Sequence, residues 1–274
     1  MDYESFSAIC PASKSTAPLI GQVQHTSGDR SARLAFLLPA PVEDHPGLSG
    51  LIEFLCIHAG KMGAVNLLAE VPDSDPLLEV MRKNSFSIYG WESIWQLPVR
   101  SSENLEKFSE HWQRMTPAEE PTLRSLYQTL VPPLVQTSEV FSGADVPRLV
   151  YRNSSGEIVA YVESLSGLRG IYLKPIIHPA IENIEDLLNG LLALFQGLGK
   201  PVYLQMRSYQ AWITPALEKL GAQTTVHFAL LVRHLAIAQY ATANHRILTL
   251  DNRQPEANAS PMVNKISDNN QMQK

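Results

Sequence analysis

The chain of 274 residues contains only two cysteines, Cys10 and Cys56, which lie far apart and outside any metal-binding spacing. Two isolated thiols exclude a disulfide-rich scaffold and a thiolate metal cluster. We therefore expect reduced structural thiols and a cytoplasmic location. The eight histidines form no HxH or HxxxH pair, so the sequence predicts no metal site.

Long apolar runs are missing too, and no run reaches the roughly 18 residues that a membrane helix needs. The first residues lack the basic region and apolar core of a signal peptide. A formal net charge of −5 gives no reason to expect nucleic acid or an anionic membrane as a partner. The apolar share of 45% and the charged share of 18% predict a soluble globular protein.

An internal repeat is the most informative feature that is present. Residues 63–97 and 199–235 share one plan: a strand, a polar junction, an amphipathic helix and a second strand that ends in an apolar run. Gly63 aligns with Gly199, and Ser85 aligns with Gly221, each 136 positions further along. An offset held over that length predicts two related α/β domains in series.

The domain boundaries follow from composition and from the pattern of strands and helices. We predict an N-terminal domain at 1–98, a polar linker at 99–111, a complete C-terminal domain at 112–240 and a disordered tail at 241–274. The first domain begins directly with its hairpin strands and is therefore predicted to be incomplete at its N-terminus. Four tryptophans near the junction are expected to pack in the core or between domains: Trp91, Trp95, Trp112 and Trp212.

The second domain follows the order strand, helices, antiparallel hairpin, strand, helix, strand, helix, strand. With the GEIVAY hairpin strand at 156–161, the strand at 171–175 and the ALEKLG helix end at 216–221, it resembles the GNAT superfamily of acetyl-CoA-dependent N-acyltransferases. The resemblance covers about 112–235 entirely and about 5–98 from the hairpin onward. It implies an α/β fold with mixed sheets, in which two GNAT-like domains stand in tandem.

The resemblance also implies a glycine-rich loop before a helix, whose backbone N–H groups hold the CoA pyrophosphate. The equivalent stretch of the second domain, 175–186, has no glycine, and Pro179 removes one donor. Its acids Glu182, Glu185 and Asp186 suit the helix dipole without a ligand and would repel a pyrophosphate. We interpret this stretch as a self-capped helix start.

The first domain retains glycines in the corresponding stretch, 41–50. Gly47, Ser49 and Gly50 are therefore the candidate residues for binding acetyl-CoA or another acyl-CoA as cosubstrate. A glycine–serine helix start is also a common structural feature, so both interpretations remain open.

GNAT enzymes commonly use a tyrosine, four residues before the glycine that ends the fourth helix, to protonate the leaving thiolate. The corresponding positions here are Leu217 and Met81, and neither side chain can donate a proton. The tyrosines nearest in sequence, Tyr89 and Tyr209, are also typical of buried structural phenols.

The candidate catalytic residues are Glu70, Arg207 and Tyr209, each at or beside the end of a central strand. Glu70 is a candidate general base. Arg207 lies between apolar positions, so it requires either an acidic partner, for which we expect Glu163 or Glu182, or an anionic ligand.

The sequence predicts an acetyl-CoA-dependent N-acyltransferase-like protein that acts on a small-molecule or protein amine. The alternative is a non-catalytic, degenerate GNAT that serves as a ligand-binding or protein-interaction module. Loss of the glycine-rich loop and of the acid favours the alternative, whereas the fold favours the enzyme by analogy.

Overall fold

A computed structural model describes residues 3–12, 16–98, 110–139, 141, 146–196 and 198–235. Most of the predicted linker, 99–109, and the predicted tail, 241–274, lie outside the described residues. The predicted domain boundaries stay a prediction.

Up to Gln96, the described residues form five strands and two helices, which we call the first copy. They are β1 (Tyr3–Cys10), β2 (Leu19–Thr26), β3 (Ser31–Leu38), α1 (Leu48–Lys61), β4 (Asn66–Pro72), α2 (Leu77–Lys83) and β5 (Ser87–Gln96).

A short strand and two helices follow: β6 (Trp112–Arg114), α3 (Glu120–Leu130) and α4 (Pro133–Ser138). The turn of 3-10 helix before α3, Pro117–Glu119, begins with the Thr116–Glu119 capping box.

The remaining elements repeat the order of the first copy, and we call them the second copy. They are β7 (Arg148–Arg152), β8 (Ile158–Ser166), β9 (Ile171–Ile177), α5 (Ile184–Gln196), β10 (Val202–Arg207), α6 (Thr214–Leu220) and β11 (Gln223–His234), with a 3-10 helix (Ser208–Ile213) between β10 and α6.

Backbone geometry confirms the repeat. Ser85 is the non-glycine residue with a positive φ among the described residues, 64°, and its equivalent Gly221 has a φ of 85°. Gly63 and Gly199 also share a positive φ, 96° and 61°. Since few L residues adopt this conformation, its recurrence at matched positions shows that both helix ends and both strand entries have the same geometry.

The eleven strands of the described residues form one sheet, in the order β1-β2-β3-β4-β11-β5-β10-β9-β8-β7-β6. The last strands of the two copies are exchanged: β11 pairs with β4 of the first copy, and β5 pairs with β10 of the second copy. β5 and β11 also pair with each other, antiparallel, and Glu92 lies opposite its own equivalent, Phe228. The two copies therefore meet about an approximate twofold axis at the middle of the sheet.

Each copy contains one pair of parallel neighbours that separates soon after it begins. β3 and β4 pair only from Ser31 to Arg33, and β9 and β10 pair only from Ile171 to Leu173. Beyond these three-residue contacts the strands diverge, so a V-shaped gap opens towards their C-terminal ends in both copies.

Strand register shows that the helices of the two copies cover the same face of the sheet. Val71 of β4 pairs with Ala229 of β11, and Ala229 pairs with Trp91 of β5, so these side chains share one face of the sheet. Trp95 lies on the same face of β5. Val71 packs in the core beneath α1 and α2, whereas Trp95 packs in the core beneath α5 and α6. A third hydrophobic core lies on the other face of the sheet, where α3 and α4 cover strands of both copies. Leu68 of β4 and Tyr89 of β5 belong to this core.

The tryptophan prediction is half right. Trp95 and Trp112 are buried, with 6% and 5% of their surface exposed, but Trp91 and Trp212 are exposed by 42% and 39%. The prediction fails for Trp91 because this part of β5 lines an open surface groove of about 270 Å3.

Candidate functional site

The gap between β3 and β4 forms an open groove of about 770 Å3 in the first copy, which we call the splayed groove. One wall is the end of β3 and the loop that leads to α1, and the other is the end of β4 and the start of α2. Glu70 and Pro72 on β4 and Glu43 on the loop are among its lining residues.

The start of α1 follows the loop that lines this groove. Gly47 precedes the helix, and its N–H donates to His45 Nδ1 at 3.0 Å, while the Leu48 N–H donates to the His45 carbonyl at 3.0 Å. The N-cap residue supplies no side-chain cap, and the first turn contains no acid. Ser49 and Gly50 are exposed, although the Ser49 hydroxyl accepts a hydrogen bond of 3.2 Å from Asn84. Since the first amides of a helix have no intrahelical acceptor, the N–H groups of Ser49 and Gly50 can bind an anion.

The glycines of the predicted phosphate loop differ in what they contact. A Cβ atom on Gly47 would lie 2.5 Å from the Cys10 sulfur, whereas one on Gly50 would have nothing within 4 Å. Packing against β1 therefore explains Gly47. Gly50 leaves open space at the surface of the helix start.

The equivalent helix of the second copy, α5, is closed by its own side chains. Asn183 Oδ1 accepts the backbone N–H groups of Glu185 and Asp186 at 3.1 and 3.2 Å, and Asn183 Nδ2 donates to Asp186 Oδ2 at 2.7 Å. Two acids occupy the first turn. The interpretation as a self-capped helix is confirmed for this copy.

The positions at which GNAT enzymes commonly carry the proton-donating tyrosine are core positions here. Both Met81 and Leu217 are 0% exposed, and they pack in the first-copy and second-copy cores. Hydrophobic burial thus accounts for both residues.

A second cavity, of about 90 Å3, lies on the face of the sheet that α3 and α4 cover, and we call it the central cavity. It combines charged and phenolic side chains from both copies and from the segment between them. Its lining residues are Arg33, Tyr127, Val135, Glu139, Phe141, Tyr161, Glu163, Lys174, Pro175, Ile176, Gln205, Arg207 and Tyr209.

Arg207 is the most deeply buried cation of this cavity, with 9% of its surface exposed. Its Nη2 lies 2.9 Å from Glu139, and its Nε lies 3.4 Å from Glu92 Oε2. Gln205 donates a further hydrogen bond to Glu92. Arg207 therefore holds two carboxylates from elements far away in the sequence.

The expected partners of Arg207, Glu163 and Glu182, were wrong. Glu163 pairs with the buried Arg148, 3.2 Å away, and Glu182 is exposed in the loop before α5. Strand exchange explains the difference, because it places Glu92 of β5 directly opposite Arg207 of β10.

Burial and neighbouring charges shift the ionisation of this cluster. Burial raises the pKa of Glu92, and the charge of Arg207 offsets part of that rise. Burial alone would lower the pKa of Arg207, but the Glu139 and Glu92 carboxylates outweigh it and raise that pKa. Burial also raises the pKa of Tyr209, so this phenol remains protonated and can donate a hydrogen bond.

The three candidate catalytic residues border the two openings described above. Arg207 and Tyr209 border the central cavity, whereas Glu70 borders the splayed groove. Glu70 forms an ion pair of 3.1 Å with Arg33, which borders the central cavity. The Arg33–Glu70 pair therefore connects the two openings. The candidate residues at Gly47, Ser49 and Gly50 lie apart from it, at the start of α1.

Sequence reasoning missed Arg33, Glu92, Glu139 and Lys174. Lys174 could have been found, because it stands between apolar positions of a strand, the signal that identified Arg207. Glu92 and Glu139 carry no such signal, since only the exchanged strand and the end of α4 bring them to Arg207.

Within the described ranges, no three His, Cys, Asp or Glu residues are grouped so that they could hold a metal ion. No described helix has the length and apolar character needed to cross a membrane.

Solved structures resemble this architecture. A GCN5-related N-acetyltransferase from Sphaerobacter thermophilus, 12% identical, matches 79% of this chain and 76% of its own with a TM-score of 0.55. A tandem GNAT protein from the clavulanic acid biosynthesis pathway, 11% identical, matches 85% of this chain and 83% of its own with a TM-score of 0.50. No family model and no curated protein matches the sequence.

The chain therefore has the fold of the GNAT superfamily. It has that fold in tandem form, with two copies in one mixed sheet.

Proposed function

We propose that the protein transfers an acyl group from acetyl-CoA, or another acyl-CoA, to an amine, and that the first copy binds the acyl-CoA. The observation that carries this proposal is the contrast between the two equivalent helix starts. α1 follows the loop that lines the splayed groove, and its first turn has no acid and no cap on the Ser49 and Gly50 amides, whereas α5 begins with its own cap and two acids. A pyrophosphate is stabilised by free amides and repelled by carboxylates.

The Arg33–Glu70 pair indicates where transfer would occur, because it adjoins both the splayed groove and the central cavity. The amine nitrogen forms a bond with the thioester carbonyl carbon, and the C–S bond breaks to release the CoA thiolate. Glu70 accepts the proton that the amine loses, and the thiolate is protonated by solvent. Solvent takes this role because Met81 and Leu217 supply no acid.

We also propose that the amine acceptor is a small molecule, because the central cavity encloses about 90 Å3. A cytoplasmic location is part of the proposal, supported by Cys10 and Cys56 as free thiols.

Calorimetric titration with acetyl-CoA tests the assigned site. In Gly50→Glu, a carboxylate stands beside the free amides of α1, and nothing within 4 Å obstructs the new side chain. We expect Kd to rise about tenfold or more, because like charges repel. Gly50→Gln is the matched control, with the same size and no charge, and its Kd should change less than about threefold.

The alternative is a non-catalytic protein that binds a ligand or another protein, and the missing acid at Met81 and Leu217 favours it. Release of CoA thiol in the presence of amines distinguishes the two. Turnover that falls about a hundredfold in Glu70→Gln, with an unchanged acetyl-CoA Kd, supports the enzyme. Binding without turnover supports the alternative. If acetyl-CoA does not bind, or binds Gly50→Glu and wild type equally, the assigned site is wrong.

A further inference from the structure

Two cations that line the central cavity, Arg207 and Lys174, have donor groups without an acceptor among the described residues. Arg207 Nη1 is buried and has no hydrogen-bond partner among the described residues. Lys174 is half-buried at the cavity wall, and within the described ranges it forms no ion pair. Its ammonium lies 6.0 Å from the centre of the Tyr172 ring. Guanidinium and ammonium groups only donate, so these positions call for an acceptor.

The carboxylates around the cavity already have donors. Glu139 accepts from the Tyr89 hydroxyl at 2.6 Å and from Arg207 Nη2 at 2.9 Å. Glu92 accepts from Gln205 and lies beside Arg207, and Glu163 pairs with Arg148. A buried donor without a partner is unfavourable, so an anionic ligand group would gain from contacts that no described carboxylate makes.

We propose that the central cavity binds the carboxylate of a small amino acid through Lys174 and Arg207. The amine of that molecule is then the acyl acceptor. This inference rests on the proposed function, and it adds the chemical class of the acceptor.

Size and charge favour a carboxylate over a phosphate. A single water needs roughly 10–15 Å3, so a cavity of about 90 Å3 holds a carboxylate and a short chain. A phosphate dianion would place a second negative charge beside Glu139 and Glu163, which border the same cavity. One carboxylate adds only one charge, opposite the Lys174 ammonium, which forms no ion pair within the described ranges, and beside Arg207, whose charge Glu92 and Glu139 already balance.

Phenols complete the lining, and they are donors as well. Burial raises the pKa of Tyr127 to about 12, and burial raises the pKa values of Tyr161 and Tyr209 too. All three are therefore protonated near neutral pH and can donate to a carboxylate. The ammonium end of the ligand would extend towards Glu70, at the border with the splayed groove.

Calorimetry on the whole chain, without acetyl-CoA, tests this inference. The probes are glycine, β-alanine and 4-aminobutyrate, each beside its primary amide, which retains the amine and the size but removes the negative charge. We expect at least one acid to bind about tenfold or more tightly than its amide, the equivalent of ~1.4 kcal/mol. Lys174→Gln should weaken that acid about tenfold, because charge-assisted hydrogen bonds are lost.

Lys61→Gln is the control, since Lys61 is exposed at the end of α1, away from the cavity. It should leave the affinity for the acid unchanged. The inference is overturned if no acid binds at about 10 mM, if acid and amide bind equally, or if Lys174→Gln binds the acid as wild type does.

Titration with acetyl-CoA on the same samples separates this inference from the proposed function. Binding of acetyl-CoA without binding of any acid overturns the acceptor class and leaves the acyl-CoA site standing. Binding of an acid without binding of acetyl-CoA supports a carboxylate site and overturns the proposed transfer.

Discussion

Ser85 occupies a backbone conformation that disfavours its side chain, with a φ of 64°. It follows α2, where a left-handed residue lets the chain turn into the next strand. The second copy places glycine at the equivalent position, Gly221, with a φ of 85°. The same turn is therefore formed by serine in the first copy and by glycine in the second.

This comparison predicts that two reciprocal substitutions, Ser85→Gly and Gly221→Ser, change the free energy of unfolding in opposite directions. Ser85→Gly should raise the free energy of unfolding by up to about 1 kcal/mol, because glycine adopts positive φ without steric strain. Gly221→Ser should lower it by about 1 kcal/mol, although a Cβ there would meet nothing within 4 Å. Urea denaturation of the variants measures both changes.

Gly60→Ser is the control for these variants, since Gly60 lies inside α1, where a Cβ also meets nothing. Serine has a higher helix propensity than glycine, so this variant should be neutral or slightly stabilising. Destabilisation by Ser85→Gly equal to that by Gly221→Ser would contradict the argument from backbone strain.

At the scale of elements, the two copies keep the same helices but begin them differently. Asn183 caps α5 through two backbone N–H groups, whereas α1 has Gly47 at that position and no side-chain cap. The acids of α5 add a favourable interaction with the helix dipole. One helix start is therefore stable by itself, and the other is open to a ligand.

Asn183→Ala tests whether the cap has only a structural role. We expect a loss of about 1 kcal/mol in the free energy of unfolding, because two amides lose their acceptor. The acetyl-CoA Kd should not change, since the assigned site is at α1. Thermal denaturation and calorimetry measure the two quantities, and a tenfold change in Kd would move the acyl-CoA site to the second copy.

Prediction from sequence succeeded at the level of elements. Periodicity and turn residues located the repeated strand–helix–strand units, and the acids at 182–186 indicated the capped helix. The partners of Arg207 were beyond this reasoning, because Glu92 reaches it across exchanged strands and Glu139 reaches it from the end of α4.

At the scale of the whole molecule, the exchanged strands make each copy depend on the other. β4 has β11 of the second copy as a neighbour, and β10 has β5 of the first copy. Without the other copy, β4 and β10 would each become an edge strand, and their unpaired backbone groups and apolar side chains would be exposed to solvent.

Separate expression of 1–98 and 110–274 tests this dependence. We expect neither fragment to unfold cooperatively alone, because each lacks a central neighbour for one of its strands. Mixed or coexpressed fragments should associate and recover a cooperative transition, seen by circular dichroism and size-exclusion chromatography. A cooperative transition of 1–98 alone would show that the first copy is an independent domain.

The sequence by itself determined the repeat, the type of each repeated element and the contrast between the two helix starts, because these depend on residues close together in the chain. Tertiary structure decided that β11 lies beside β4, that β5 lies beside β10 and that Glu92 meets Arg207, since these contacts join residues more than 100 positions apart. Glu92 meets Arg207 only because β5 lies beside β10, and Glu139 reaches Arg207 from the end of α4, so no local pattern records either contact.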